Sequence, residues 1–200
     1  ATAEVESEDE VVLSLRNFYY FAMTAPLEEI EFIEESMRLN KAAAESAFAG
    51  DYGHALGKML RRDREIKIMG DSVFSRILSY TASACDARMG GAKVPVMSNS
   101  GSGNQGISCS VPVYLYAKED NCSREQTLRA LALSNLTGIY IKQSLGRLSA
   151  LCGCVVAATG SAAGITLLMG GKYEEITYAI KNMIANISGM ICDGAKPGCA

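Results

Sequence analysis

The chain has 200 residues, 48% hydrophobic and 20% charged, which suits one globular domain or half of a two-domain protein. Its 19 basic residues against 22 acidic ones leave a net charge of −3, and no dense basic run occurs, which excludes a nucleic-acid binder. Seven cysteines, an odd number with no signal-peptide pattern ahead of them, exclude a secreted disulfide scaffold and suit free thiols in the reducing cytoplasm.

Residues 1–10 hold Glu4, Glu6, Glu8, Asp9 and Glu10 with no basic residue, and read as an acidic, mobile lead-in to a helical domain over 11–200. The chain opens on Ala1 rather than Met and stops at Ala200, just after Gly198-Cys199, so a piece of a longer protein is expected. Val11 to Met23 is apolar enough for a first helix. Thr24 suits the cap of the next, with Pro26 in its first turn and Glu28 and Glu29 at the positive end of its dipole. Leu27, Ile30, Ile33 and Met37 then recur at helical spacing. Gly50-Asp51-Tyr52-Gly53 is a turn, and helical segments follow around 54–62 and 63–89. His54, alone after the turn, reads as exposed before it reads as functional.

Gly90-Gly91, Pro95 and the run Ser98-Asn99-Ser100-Gly101-Ser102-Gly103-Asn104-Gln105-Gly106 form the strongest loop signal. The glycines permit close backbone approach, and the Ser and Asn side chains offer donors and acceptors. The run is either a surface turn or a ligand loop. Were a helix to start near Ile107, its free N–H groups would suit an anion such as a carboxylate. No Lys-Ser or Lys-Thr closes the run, so it is not a phosphate loop. Val111, Val113, Leu115 and Tyr116 fit a strand, or a helix with Pro112 near its start; the helical surroundings favour the helix.

Ser123 and Gln126 make a capping box, and Leu128, Leu131, Leu136 and Ile139 carry a long helix toward Gly146. Lys142 and Arg147 flank the approach to Cys152. Lys142 is either a solvated edge or, if desolvated, a base or a carboxylate holder. Residues 148–171 hold no charged side chain and contain Gly160-x-x-x-Gly164, a pattern of membrane helices. Crowding by Gly, Ala, Ser and Thr, without an aromatic belt, favours a buried central helix and no membrane. Gly170-Gly171 breaks the run, and Ile176, Ile180, Met183, Ile184 and Ile187 mark a last amphipathic helix before a turn-rich tail. The sum is an all-α helical bundle with two glycine-rich irregular loops.

Cys152 and Cys154 fall at a helix start, and Cys192 and Cys199 in the tail beside Asp193 and Lys196. Thiolates converging from loops and helix ends suit an iron–sulfur cluster, but spacing alone equally allows these four to be small buried hydrophobes, as Cys85, Cys109 and Cys122 are read. Zinc fits less well: the one close pair is Cys-x-Cys, and the chain has one His.

Three segments carry a family resemblance. Met97 to Ile107, Leu148-Ser149-Ala150-Leu151-Cys152-Gly153-Cys154 and Ile191-Cys192-Asp193-Gly194-Ala195-Lys196-Pro197-Gly198-Cys199-Ala200 occur in that order. Together they resemble the C-terminal half of the L-cysteine desulfidase family, related to the alpha region of iron–sulfur L-serine dehydratases. The resemblance runs from about Val11 to Ala200. It implies a PLP-independent lyase with a 4Fe-4S cluster that eliminates the β-substituent of L-cysteine or L-serine, giving pyruvate and ammonia. It implies Cys152, Cys192 and Cys199 as cluster ligands and Ser98, Asn99, Ser100, Gly101, Ser102, Gly103 and Asn104 as the substrate loop; Lys142 is the candidate base. The family's N-terminal half, with a further Cys in a Cys-Thr-Glu-Pro-like motif, has no counterpart here, so that half is the expected partner and the piece alone is expected to be inactive. A homodimer is a further candidate assembly. The rival readings are a non-enzymatic helical domain and a zinc or redox cysteine module.

Overall fold

The structure, a computed structural model, describes residues 13–146, 149–187, 189–192, 194 and 196–200. The acidic lead-in, Arg147 and Asp193 lie outside the described residues. Those described form helices and turns with no strand: α1 (Leu15–Thr24), α2 (Leu27–Ile30), α3 (Glu34–Ala49), α4 (Leu56–Met59), α5 (Asp63–Met69), α6 (Val73–Met89), α7 (Gly103–Glu119), α8 (Arg124–Leu145), α9 (Gly153–Leu168) and α10 (Tyr173–Ile187). The all-α expectation holds.

The helix starts follow local capping chemistry. Ser14 Oγ accepts from the Asn17 N–H ahead of α1, and Ser72 and Ser75 cap α6 reciprocally. Ser123 and Gln126 form the expected box on α8. Three expectations shift. Thr24 ends α1, its hydroxyl donating to the Tyr20 carbonyl, and Pro26 takes the cap position of α2. Gly70, at φ +74, breaks the long 63–89 segment, because that left-handed backbone suits glycine and stops a helix. Helix α7 starts at Gly103 rather than near Ile107, so Pro112 is interior and not near the start. Pro112 is buried there, and packing on both sides of α7 offsets the hydrogen bond it cannot donate.

Two apolar clusters share α7. Val113 joins Ala22, Ile30, Leu128, Leu131, Leu133, Ala163 and Ile176 in one; Ile107 and Val111 join Ala43, Ala44, Ala84 and Cys85 in the other. The uncharged run becomes α9, a central helix packed against α7, α8 and α10. A Cβ on Gly160 would stand 2.5 Å from the Ser134 carbonyl oxygen, and one on Gly164 2.8 Å from that of Ala130. The glycine pair therefore serves close contact between α8 and α9. Among the described residues no helix is long and apolar enough to cross a membrane.

Candidate functional site

The glycine-rich run divides into a turn and a helix start. Asn99 and Ser102 exchange backbone hydrogen bonds (3.1 and 2.9 Å), with Ser100 at φ +49 and Gly101 at φ +80 between them. Two successive positive φ values make this a type I′ turn. Ser102 then caps α7, its Oγ accepting from the Gln105 N–H at 3.4 Å. The segment leading in lies flat on α7, because a Cβ on Gly106 would overlap the Met97 carbonyl. Buried Asn40 holds that segment: its Oδ1 accepts from the Met97 N–H (2.9 Å), and its Nδ2 donates to Ser110 Oγ (2.7 Å).

The expected loop residues do not share one surface. Ser98, Asn99 and Ser100 line an apolar groove of about 380 Å³ with Phe21, Phe32 and Ile139. Asn99 is buried and donates to the Asn135 carbonyl and Oδ1 (3.1 and 3.0 Å), while Ser100 donates to Asn99 Oδ1 at 2.8 Å. Gly101, Ser102 and Asn104 instead line a second cavity of about 370 Å³, whose wall also carries Lys142, Cys152, Cys154, Cys192 and Cys199. Gly103 lies under Arg88, where a Cβ would overlap the guanidinium Nε.

The cysteines reach this cavity by two routes. Cys152 is the residue before α9, so its sulfur stands at the positive end of that helix. The tail is tied beside it: Leu151 bridges Ile191 antiparallel, the Cys152 N–H donates to the Met190 carbonyl (2.9 Å), and the Cys192 N–H donates to the Ala150 carbonyl (2.7 Å). The Gly194 N–H donates to Cys192 Sγ at 3.3 Å, and the Cys199 thiol donates to the Gly194 carbonyl at 3.6 Å. The turn Pro197–Cys199 packs on α6. Cys154 donates to Met190 Sδ (2.9 Å); burial first, and then the neighbouring Cys152, push its thiol up to about 12. The thiols are neighbours rather than a closed ligand set: among the described residues no three His, Cys, Asp or Glu side chains stand close enough to hold a metal ion.

Cys85 and Cys109 are buried, and desolvation raises each thiol to about 12. Cys122 is only partly buried. His54 is exposed; its backbone N–H donates to Asp86 Oδ1 at 3.1 Å, so its place is in the turn.

Arg88 escaped the sequence reading, and Gln105 entered it only as part of the glycine-rich run. Arg88 donates from Nη1 to Asn104 Oδ1 at 3.0 Å. Gln105, inside the polar run, is 6% exposed and lies against Gly153 at the start of α9. No spacing links an arginine at the end of α6 to a loop 15 residues on; only the packing of α6 against α7 does.

A family model described as serine dehydratase alpha chain matches residues 4–200. The chain belongs to the serine dehydratase alpha chain family. A UPF0597 protein of Bacteroides fragilis is 68% identical over 199 residues, covering 100% of this chain and 46% of that protein. One of Bacteroides thetaiotaomicron is 67% identical over 200 residues, 100% of this chain and 47% of that protein. One of Oleidesulfovibrio alaskensis is 48% identical over 193 residues, 96% of this chain and 45% of that protein. The chain thus spans under half the length of these relatives. No solved structure matches it. The region matched by the family model includes both the capped start of α7 and the cysteine-bearing tail that meet at the second cavity.

Proposed function

We propose that this chain is the cluster-bearing catalytic half of an iron–sulfur, PLP-independent lyase that eliminates the β-substituent of L-serine or L-cysteine. The observation that carries the reading is one cavity lined by Lys142, the start of α7, Cys152, Cys192 and Cys199 in a chain of the serine dehydratase alpha family.

The thiols fit an iron–sulfur group in chemistry and placement: they come from a helix start and a tail, and a backbone N–H already reaches one sulfur. Cys152, Cys192 and Cys199 would hold it. Bound by these three cysteines, a 4Fe-4S cluster would supply a Lewis acid for the leaving hydroxyl or thiol. The chain's own residues do the rest. The cavity holds a small amino acid between the α7 start and the cysteines. Lys142 takes the α-proton. Loss of that proton and of hydroxide from serine, or of hydrosulfide from cysteine, leaves aminoacrylate. Its imine tautomer takes up water and releases pyruvate and ammonia. The rest of the protein is the partner that closes the site, in the cytoplasm where the thiols stay reduced.

The test is anaerobic reconstitution of the full-length protein, with iron and sulfide counted and pyruvate measured from L-serine and L-cysteine. Cys152→Ala and Cys192→Ala should each lose most of the iron and all measurable pyruvate. Iron content equal to wild type in both variants would sink the cluster assignment, and stoichiometric zinc in place of iron would replace it with a zinc module.

A further inference from the structure

The cavity beside the cysteines has an electrostatic character that the proposed reaction does not by itself specify. Its described lining includes two cations, Arg88 and Lys142, and no Asp or Glu. Among the described residues Arg88 pairs with no carboxylate; it donates from Nη1 to Asn104 Oδ1 and Met89 Sδ. Its side chain lies on Gly103, the first residue of α7. The N–H groups of Gly103 and Asn104 find no acceptor among the described residues, as the first turn of a helix requires unless something caps it. A guanidinium and the positive end of a 17-residue helix therefore meet at one point, with no carboxylate among the described lining residues to answer them.

An independent feature stands next to it. Gln105 is 6% exposed, lines the same cavity, and has its Oε1 buried with no hydrogen-bond partner. A buried amide oxygen left without a donor is costly and uncommon in a folded protein. Its amide packs closely on the start of α9, since a Cβ on Gly153 would stand 2.6 Å from Nε2. An anion site and an unanswered acceptor in one small cavity match the two charged ends of an α-amino acid.

We infer that Arg88, with the first N–H groups of α7, is the subsite for the α-carboxylate of an amino-acid substrate, and that Gln105 Oε1 receives its α-ammonium group. The inference rests on the amino-acid lyase reading and moves carboxylate recognition off Ser98, Asn99 and Ser100, which line the apolar groove instead. It leaves the β-carbon free to turn toward the cysteines.

The experiment uses the full-length protein and calorimetric titration with L-alanine, which has no β-leaving group and so binds without turnover. L-alaninamide lacks the carboxylate, and L-lactate carries a hydroxyl in place of the ammonium. Wild type should bind L-alanine and discriminate against both analogues. Arg88→Ala should bind L-alanine roughly 10- to 100-fold more weakly and should no longer distinguish it from L-alaninamide. Arg88→Lys, which keeps the charge without the planar fork, should recover part of the loss. Gln105→Leu should lose the discrimination between L-alanine and L-lactate, and its ligand-free melting temperature should not fall, because the variant removes an unanswered acceptor. Wild-type affinity and discrimination in Arg88→Ala, or no binding of L-alanine by wild type, overturns the subsite. Pyruvate formation separates the two ideas. The predicted binding pattern without pyruvate from serine or cysteine keeps the subsite and rejects the elimination; pyruvate with an unaffected Arg88→Ala does the reverse.

Discussion

Seven cysteines of one chemical type occupy different electrostatic settings, and burial decides what each can do. Cys109 is fully enclosed, Cys85 nearly so, and desolvation holds both thiols near 12. Cys192 is exposed on the tail. A thiol near 12 holds roughly a thousandth of the thiolate that an ordinary one holds at pH 8, and thiolate is the species that reacts. Brief iodoacetamide treatment of iron-free protein at pH 8 should therefore label Cys192 and leave Cys85 and Cys109 unlabelled until denaturant is added, as read by peptide mass spectrometry. Labelling of Cys109 at the rate of Cys192 in folded protein would contradict its burial. Residue type alone assigns Cys85, Cys109 and Cys122 alike to the interior, and of the three only Cys85 and Cys109 are buried there. Nor does residue type show that Cys85 also borders the cavity, since that depends on how α6 meets the C-terminal turn. Ser100 marks a similar boundary. The Ser-Gly pair made a turn legible, but the left-handed Ser100, which costs about 1 kcal/mol, follows from the exchange of hydrogen bonds between Asn99 and Ser102.

At the scale of elements, the helices were legible wherever apolar spacing or a cap marked them: α8 from its Ser123–Gln126 box, α10 from its isoleucines, and α9 as a buried run. The start of α7 was not. Ser102 to Gly106 is polar and glycine-rich, so local propensity reads it as loop, whereas the Ser102 cap and burial of Ile107 make it the first turns of a helix. The consequence is functional, because half of the expected substrate loop becomes the wall of the cysteine cavity. The Gly160–Gly164 pair shows the same contest between pattern and context. Its spacing suits membrane helices, yet here it lets α9 approach the α8 backbone. Gly160→Ala places a methyl 2.5 Å from the Ser134 carbonyl oxygen, which cannot swing away as a side chain would. The helices must part, and the expected cost is roughly 1–3 kcal/mol. Gly189→Ala meets nothing within 4 Å and should stay within about 0.5 kcal/mol of wild type. Denaturant unfolding of the two variants checks this; equal midpoints would refute tight α8–α9 contact.

For the whole molecule, the question is why cysteines arranged around one cavity do not already form a closed ligand set. The relatives are more than twice as long as this chain, and the cavity lies at its surface. Its tail side carries exposed apolar residues: Met190 is 47% exposed and Ile191 73%, beside exposed Cys192. Thiolate ligation gains strength when the donors are held together before the metal arrives, and metal affinity falls when ordering them must be done at the moment of binding. A cluster on this chain alone would also meet solvent and oxygen directly. The full-length protein should therefore retain its iron through gel filtration and brief exposure to chelator, while the 200-residue chain, reconstituted identically, should lose most of it and form no pyruvate. Mixing the chain with the separately expressed remainder should restore part of both. Iron retention by the isolated chain equal to that of the full-length protein would show that its own cysteines suffice, and would confine the remainder to a role outside the cluster.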